Sequence, residues 1–481
     1  MLDNERLEAT NLDYPLLEFS DNVQDAWTIR DAVRGVQIFG GIGSGKSSGS
    51  GKWIAKTFLK NGFGGLILCA KPDESTNWIK YAEEVGRKED LIIFSEGSKY
   101  EFNPLEYEMK RSSKGGGEIY NLANLFMEIY KMGNRLGGGG TAKETERFWD
   151  NALRRCLNRM LQLLKLAGEE ISIKNMRRLI SVAPMEHEIE IYNEMNDKER
   201  LEWANKNYCY GCIMDAGGKA QEEEEEEFEL VYDYFMREFA NLPEKMRPTI
   251  AESFLGLAEP FSTGILKKHF STGTNIIPEV THEGKIIILD FPVKEYLQAG
   301  VYAQGIFKLL WQQATERRNP NENLIPVFLW VDEAHLFLSD YDQIFQTTAR
   351  SSKACTVFIS QNISNYYVSI GGYGAVAKVD SLLGNLGTKI FHANNDAVTN
   401  EWAAKTIGKA LKSVEGVSTG YQNQSVSLNK QHLWQVEPKD FTVLSSGGEN
   451  NDYQVQGIVT VAGRQWSDGK NYGKISFDQR I

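Results

Sequence analysis

The sequence predicts an α/β protein: a central, mostly parallel sheet supplied by two separated blocks of the chain, with an all-α domain inserted between them. Three observations predict it. An apolar run passes straight into the glycine-rich loop IFGGIGSGKS, Ile38 to Ser47. Near-continuous apolar segments alternate with helical ones towards both ends of the chain, the pattern of strands covered on both faces. The long middle stretch is almost without strand-like runs.

The elements follow in order. After the glycine loop, Ser48 to Lys60 has helix-compatible content, Asn61-Gly-Phe-Gly-Gly breaks it, and Leu66 to Ala70 is the next apolar run. That succession of strand, loop, helix and strand is the unit of a parallel sheet. A third strand is expected at Leu91 to Phe94, and Phe102-Asn-Pro-Leu105 closes the first block. From about 106 to 270 the pattern is helical, with interruptions at Gly115 to Gly117 and Gly137 to Gly140. An amphipathic helix from Arg147 to Leu164 is predicted by apolar positions recurring at three and four. Strand character returns at Lys285 to Asp290, Pro326 to Val331 and Thr356 to Ser360, with a helix from about Val301 to Arg317. We therefore expect one domain formed by 1–105 and 271–481 and an inserted all-α domain at 106–270. The six glutamates 222–227 read as a solvated helix face or a flexible stretch. The segment from Leu411 to Gln435, rich in Ser, Asn, Gln and Gly, reads as a mobile loop or a partner site.

Composition bounds the function. The 481 residues exceed the roughly 100 to 200 usual for one domain. No apolar run approaches the ~18 residues of a membrane span, and the first residues, MLDNERLEATNLDYP, are polar and acidic. A cytoplasmic location is expected, with membrane contact only through a partner. The net charge of −12 argues against coating nucleic acid over the outer surface, while leaving pore-facing loops free to be basic. Cysteines 69, 156, 209, 212 and 355 form no disulfide framework. Cys209 and Cys212 make a CxxC, but the second pair that a structural zinc site needs is missing, so ordinary thiols are expected.

The glycine loop fits GxxxxGK[ST] at every fixed position. Gly40, Gly41, Gly43 and Gly45 let backbone N–H groups turn inward around a polyphosphate, with Ser44 and Ser48 in the same cradle. Lys46 reaches the β- and γ-oxygens, and the Ser47 hydroxyl ligates Mg²⁺. ATP and Mg²⁺ are the expected cofactors. Hydrolysis needs a second anchor for the metal and a group that polarises water, both at a buried strand end. Val331-Asp332-Glu333 supplies them, Asp332 on the metal side and Glu333 beside the water; a helix N-cap with a first-turn acid reads the same way. Gln361 follows the next apolar run, where its amide senses the γ-phosphate or satisfies loop backbone. Arg350, in TTARSSK, is either a finger for a neighbouring subunit's site or a surface ion-pair residue.

The motifs GGIGSGKSSG, FNPL, RFW at 147–149, KIIILDFP, FLWVDEAH, ARSSKACTVFISQN and NLGTKIFHANND, in that order over about 35 to 465, resemble the TraG and TrwB-like type IV coupling proteins of the FtsK/HerA superfamily. The resemblance implies a RecA-like P-loop ATPase with an all-α domain, assembled as a hexameric ring that moves DNA, with a relaxase or other secretion protein among its partners. It implies Lys46 and Ser47 at phosphate and Mg²⁺, Asp332 and Glu333 as Walker B, Arg350 as a finger acting in trans and Gln361 as sensor. Two features depart from the family. Its members usually carry an N-terminal membrane anchor, and their DPKGE turn is replaced by Cys69-Ala-Lys-Pro-Asp-Glu74, in which Lys71 matches without an assigned role. The leading expectation is a DNA translocase working in conjugation or a related mobile-element or defence system. The rival is a nucleotide-gated docking ATPase that recruits a protein or membrane partner without moving DNA, and a third possibility is an ATPase acting on protein substrates.

Overall fold

The computed structural model describes residues 11–136, 144–243, 245–319, 321, 325–372, 374–419 and 424–481. The glycine run 137–140 lies outside them. The chain divides into two compact units, one formed by Met1–Ile93, Glu279–Asp290 and Trp311–Ile481, the other by Phe94–Pro278 and Phe291–Leu310.

The first unit opens with a small antiparallel pair, β1 (Pro15–Glu18) and β2 (Ala26–Thr28). The strands that follow are β3 (Val36–Phe39), β4 (Gly64–Leu68), β5 (Leu91–Ser95), β6 (Ile286–Asp290), β7 (Val327–Val331), β8 (Ala354–Ser360) and β9 (Thr388–Phe391). Then come β10 (Lys409–Thr419), β11 (Gln424–Trp434), β12 (Gln454–Val461) and β13 (Gly473–Asp478). Nine of them form one sheet in the order β13-β12-β9-β3-β8-β7-β4-β6-β5. Pairing is parallel from β9 through β3, β8, β7 and β4 to β6, and antiparallel where β12 joins β9 and β13. Every residue of β3, β4, β7, β8 and β9 is buried, as strands covered on both faces require. A stack of rings fills one side of the sheet: Phe58 lies 5.5 Å from Phe328, and Phe328 lies 5.6 Å from Trp78. Each such side chain contributes about 1.5–3 kcal/mol by leaving water.

Parallel pairing puts the carboxyl ends of β4, β7, β8 and β3 side by side on one edge. That placement brings together residues as distant in the chain as Phe39 and Ser360.

The second unit is helical; among its described residues the extended pairing outside β5 is a single bridge, Phe102 to Thr274. Its longest helix within the inserted stretch, Glu144–Ala167, buries Leu153, Leu157, Met160, Leu161 and Leu164. Side chains stop and start its neighbours: Ser172 accepts from Asn175 N–H ahead of Ile173–Ser181, and Asn196 with Glu199 closes a capping box ahead of Asp197–Lys206. Glu222–Glu224 forms a tight turn and Glu225–Asp233 a helix with its acids outward. All five cysteines are buried and free.

Two expectations change in detail. The helix expected from about Val301 begins at Val293 and is broken at Leu297, whose φ of 48° and ψ of −125° are not helical. The segment expected as a mobile loop or partner site is the two-stranded ribbon β10–β11, because its alternating residues pair in register from Lys409↔Trp434 to Thr419↔Gln424. No described helix is long and apolar enough to cross a membrane.

Candidate nucleotide-binding site

At the end of β3, Gly40 N–H donates to Ser360 O and Gly41 N–H to Ala393 O, fixing the entry of the loop to the ends of β8 and β9. Gly45 takes φ 78°, and a Cβ there would stand 2.5 Å from Val455 Cγ2 and 3.0 Å from Ser446 O. Only glycine fits both the backbone angle and the space. The loop then winds through one wide turn, Ser47–Gly51, into the helix Lys52–Lys60. Gln479 near the C-terminus braces it, donating to Ser48 Oγ at 2.6 Å while accepting from Gly448 N–H at 2.8 Å. Ser44 Oγ is buried and takes no partner from the protein, so the cradle keeps an unpaired hydroxyl.

Asp332 and Glu333 follow β7, two strands from β3. Ser47 Oγ donates to Asp332 Oδ2 at 2.8 Å, joining the loop to the strand end. An octahedral ion with oxygens at about 2.1 Å has neighbouring ligands about 3 Å apart, so this pair is spaced to share a magnesium ion. Among the described residues no group of three or more His, Cys, Asp or Glu is arranged to hold a metal. An ion here would therefore take most of its ligands from water and phosphate, as magnesium does.

Glu333 has a left-handed backbone, φ 47° and ψ 47°, a conformation that costs of order 1–3 kcal/mol in a non-glycine residue and concentrates at functional sites. One carboxylate oxygen meets Lys71 Nζ at 3.1 Å and Gln361 Nε2 at 3.4 Å. The other, Oε2, is buried without a hydrogen bond, with His335 Nδ1 3.7 Å away. Burial alone pushes the Glu333 carboxyl up, but Lys71 offsets it and holds the group below the usual glutamate value. Lys71 lies 3.9 Å from Asp332 Oδ2 as well, and although burial works against its charge, the two carboxylates raise its pKa.

Behind this pair sits Glu74. Its Oε2 accepts from Ala70 N–H at 2.8 Å and its Oε1 is buried without a partner. Burial, then repulsion from Asp332, raises its carboxyl to about 8. On the far side of the loop, fully buried His392 is held through Nδ1 by Gln456 O at 2.8 Å and through Nε2 by Ser50 Oγ at 2.7 Å. Burial lowers its pKa to about 4.

Of the residues singled out in the sequence, the glycine loop with Ser44, Lys46, Ser47 and Ser48 converges with Asp332, Glu333 and Gln361. Arg350 does not. It is exposed in the turn before β8, and the seven residues of that strand, about 23 Å, separate it from the loop edge. Sequence reasoning missed Glu74, His392 and the brace from Gln479, and left Lys71 without a role. The signal available was the charged turn Lys71 to Glu74 directly after the apolar run of β4.

A parallel sheet with a lysine-bearing glycine loop after one strand and an Asp-Glu pair at the end of a neighbouring one is the fold of a P-loop NTPase. Residues 326–440 match the family model described as the TraM recognition site of TraD and TraG. In fold the chain is similar to the plasmid conjugative coupling protein TrwB. The unbound monoclinic form of TrwB superposes with a TM-score of 0.59 at 12% identity over 95% of this chain and 87% of TrwB. TrwB bound to the ATP analogue ADPNP gives 0.59 at 13% identity over 97% and 90%, and TrwB bound to ADP and Mg²⁺ gives 0.59 at 12% over 96% and 90%. No curated protein sequence matches the chain significantly. The resemblance read from the motifs thus holds for the fold and for the 326–440 segment.

Proposed function

We propose that the chain is an ATP-hydrolysing motor of the coupling-protein type, which assembles as a ring and moves DNA. The observation that carries this reading is the 2.8 Å bond from Ser47 to Asp332, with Glu333 alongside. It joins the metal-holding hydroxyl and carboxylate and leaves the neighbouring carboxylate to act on water. In this account Lys46 and the loop amides bind the triphosphate, Ser47 and Asp332 hold Mg²⁺, and Glu333 orients and deprotonates the attacking water. Gln361, bonded to Glu333, reports the γ-phosphate to the end of β8. Arg350, remote from its own chain's site, stabilises the transferring phosphoryl group of the next copy.

Steady-state ATP turnover with and without single- and double-stranded DNA, at low and physiological salt, tests this function. Stimulation by DNA that falls as salt rises is expected, because phosphate contacts are screened. Lys46→Ala should weaken nucleotide binding, because it removes the charge closest to the phosphates. Turnover indifferent to DNA at every salt concentration contradicts translocation.

The match of 326–440 to a partner-recognition segment favours a second reading, a nucleotide-gated docking ATPase. It predicts slow turnover unaffected by DNA, with nucleotide changing the affinity for a protein partner such as a relaxase.

A further inference from the structure

The ribbon β10–β11 stands out from the unit that carries it. Eleven residues in each strand pair only with each other, and every side chain from Leu411 to Ser413 and from Leu428 to Leu433 is exposed. Leu411 is 55% exposed and Leu428 67%. An isolated two-stranded hairpin is marginally stable in water, so a ribbon of this length implies something to lie against. Its charge says what. The described side chains, 409–414 and 428–434, carry three lysines, a histidine, Ser413, Asn429 and Gln431, and the one carboxylate in the sequence of the two strands is Glu415, in a chain of net charge −12.

Directly opposed residues of an antiparallel pair share a face. Lys409, Leu411 and Ser413 therefore lie on the same side as Trp434, His432 and Lys430, with Lys409 Nζ seated 4.6 Å over the Trp434 ring. Lys412 lies on the opposite side, where its Nζ donates to Trp434 O at 3.0 Å.

Both feet of the ribbon reach the nucleotide site. The first follows the helix Ala397–Ile407, ahead of which Asn394 Nδ2 donates to Gln361 O. The second leads through Phe441, whose carbonyl accepts from Asn394 N–H, to Ser446 beside Gly45. Gln435 N–H closes the base on Gly408 O.

We propose that the face bearing Lys409, Lys430 and His432 contacts the phosphate backbone of duplex nucleic acid, the ribbon entering the major groove as an arm worked from the nucleotide site. The inference rests on the DNA reading above and adds a named contact to it. A two-stranded ribbon fits a groove about 12 Å wide, and lysine, serine, asparagine and glutamine are the side chains that meet phosphates and base edges. A single strand is not the fitting ligand. It needs exposed aromatic platforms, and Trp434, the one aromatic ring besides His432 in the two strands, is at the base under Lys409.

The test is fluorescence anisotropy of the whole chain with a labelled duplex of about 30 bp and the matching single strand, from about 50 to 200 mM salt. Lys409→Glu/Lys430→Glu is expected to weaken duplex binding at least about tenfold at low salt and to lower the salt slope by about 2. Lys412→Glu, on the other face, should change it less than about threefold, and neither variant should shift the thermal melt. Lys409→Gln/Lys430→Gln should show the same direction with a smaller loss. Duplex affinity unchanged in the double variant overturns the arm contact and leaves the motor reading standing. Equal losses from Lys412→Glu, or lost self-association with duplex affinity retained, also overturn it, the latter assigning the ribbon to a second copy of the chain. A wild-type chain that binds neither DNA overturns the motor reading itself.

Discussion

Lys71 Nζ lies 3.1 Å from Glu333 Oε1, tying the carboxylate after β7 to the turn after its neighbour β4. This ion pair favours the ionised form of Glu333 against the burial that works against its charge.

Removing the cation should expose that preference. In Lys71→Met, burial acts on Glu333 against only Lys46 and the Gln361 amide, and its carboxyl rises. The acid limb of the kcat/KM profile for ATP is expected to move to higher pH. A limb that stays in place would show that Glu333 is not the group titrating there.

Glu74 behaves in the opposite sense. With its folded pKa raised to about 8, against 4.5 in the unfolded chain, it keeps its proton in the fold after the unfolded chain has released one. Stability is therefore lost as pH rises from about 4.5 to about 8. Glu74→Gln keeps an acceptor for Ala70 N–H and removes the titration. Its unfolding free energy relative to wild type should climb between pH 5 and 8, by a margin of order 1–3 kcal/mol. Parallel pH curves for the two proteins contradict the assignment.

His392 loses stability at the acid end. The unfolded imidazole takes a proton below 6.5 while the buried one resists until about 4, so the folded state weakens over that window. Denaturant unfolding of His392→Gln should lack about 3 kcal/mol of the wild-type loss between these limits. An undiminished acid loss in the variant argues against a buried neutral histidine.

Gly45→Ala places a methyl 2.5 Å from Val455 and demands φ 78° of an L-residue. Isothermal titration should find nucleotide binding weakened by more than tenfold, because strain and overlap together cost about 2–4 kcal/mol. Unaltered affinity would mean that the loop relaxes away from β12.

Much of this architecture was legible in the chain. The apolar runs of β3, β4, β7 and β8 end in Gly40, Lys71, Asp332 and Gln361, and buried parallel strands announce themselves by being apolar throughout. What escaped notice depends on pairing between distant segments. His392 faces Ser50 because β9 lies beside β3, and Gln479 reaches Ser48 from the end of the chain. Neither meeting leaves a mark in local sequence. The stretch that forms the ribbon β10–β11 reads in sequence as a mobile loop or a partner site for a different reason. Its Ser, Asn, Gln and Gly content is that of a connection, and its alternation lacks a buried face to make it visible.

The central claim is that ATP is hydrolysed between copies of this chain, with Arg350 of one completing the Ser47–Asp332 site of the next. Mixing Lys46→Ala subunits, which keep Arg350 but not the cradle, with Arg350→Ala subunits, which keep the cradle, tests it most directly. Each variant alone should be inactive, and the mixture should recover a measurable fraction of wild-type ATP turnover. A mixture as inactive as its parts despite forming mixed assemblies, or full turnover by Arg350→Ala alone, would contradict it.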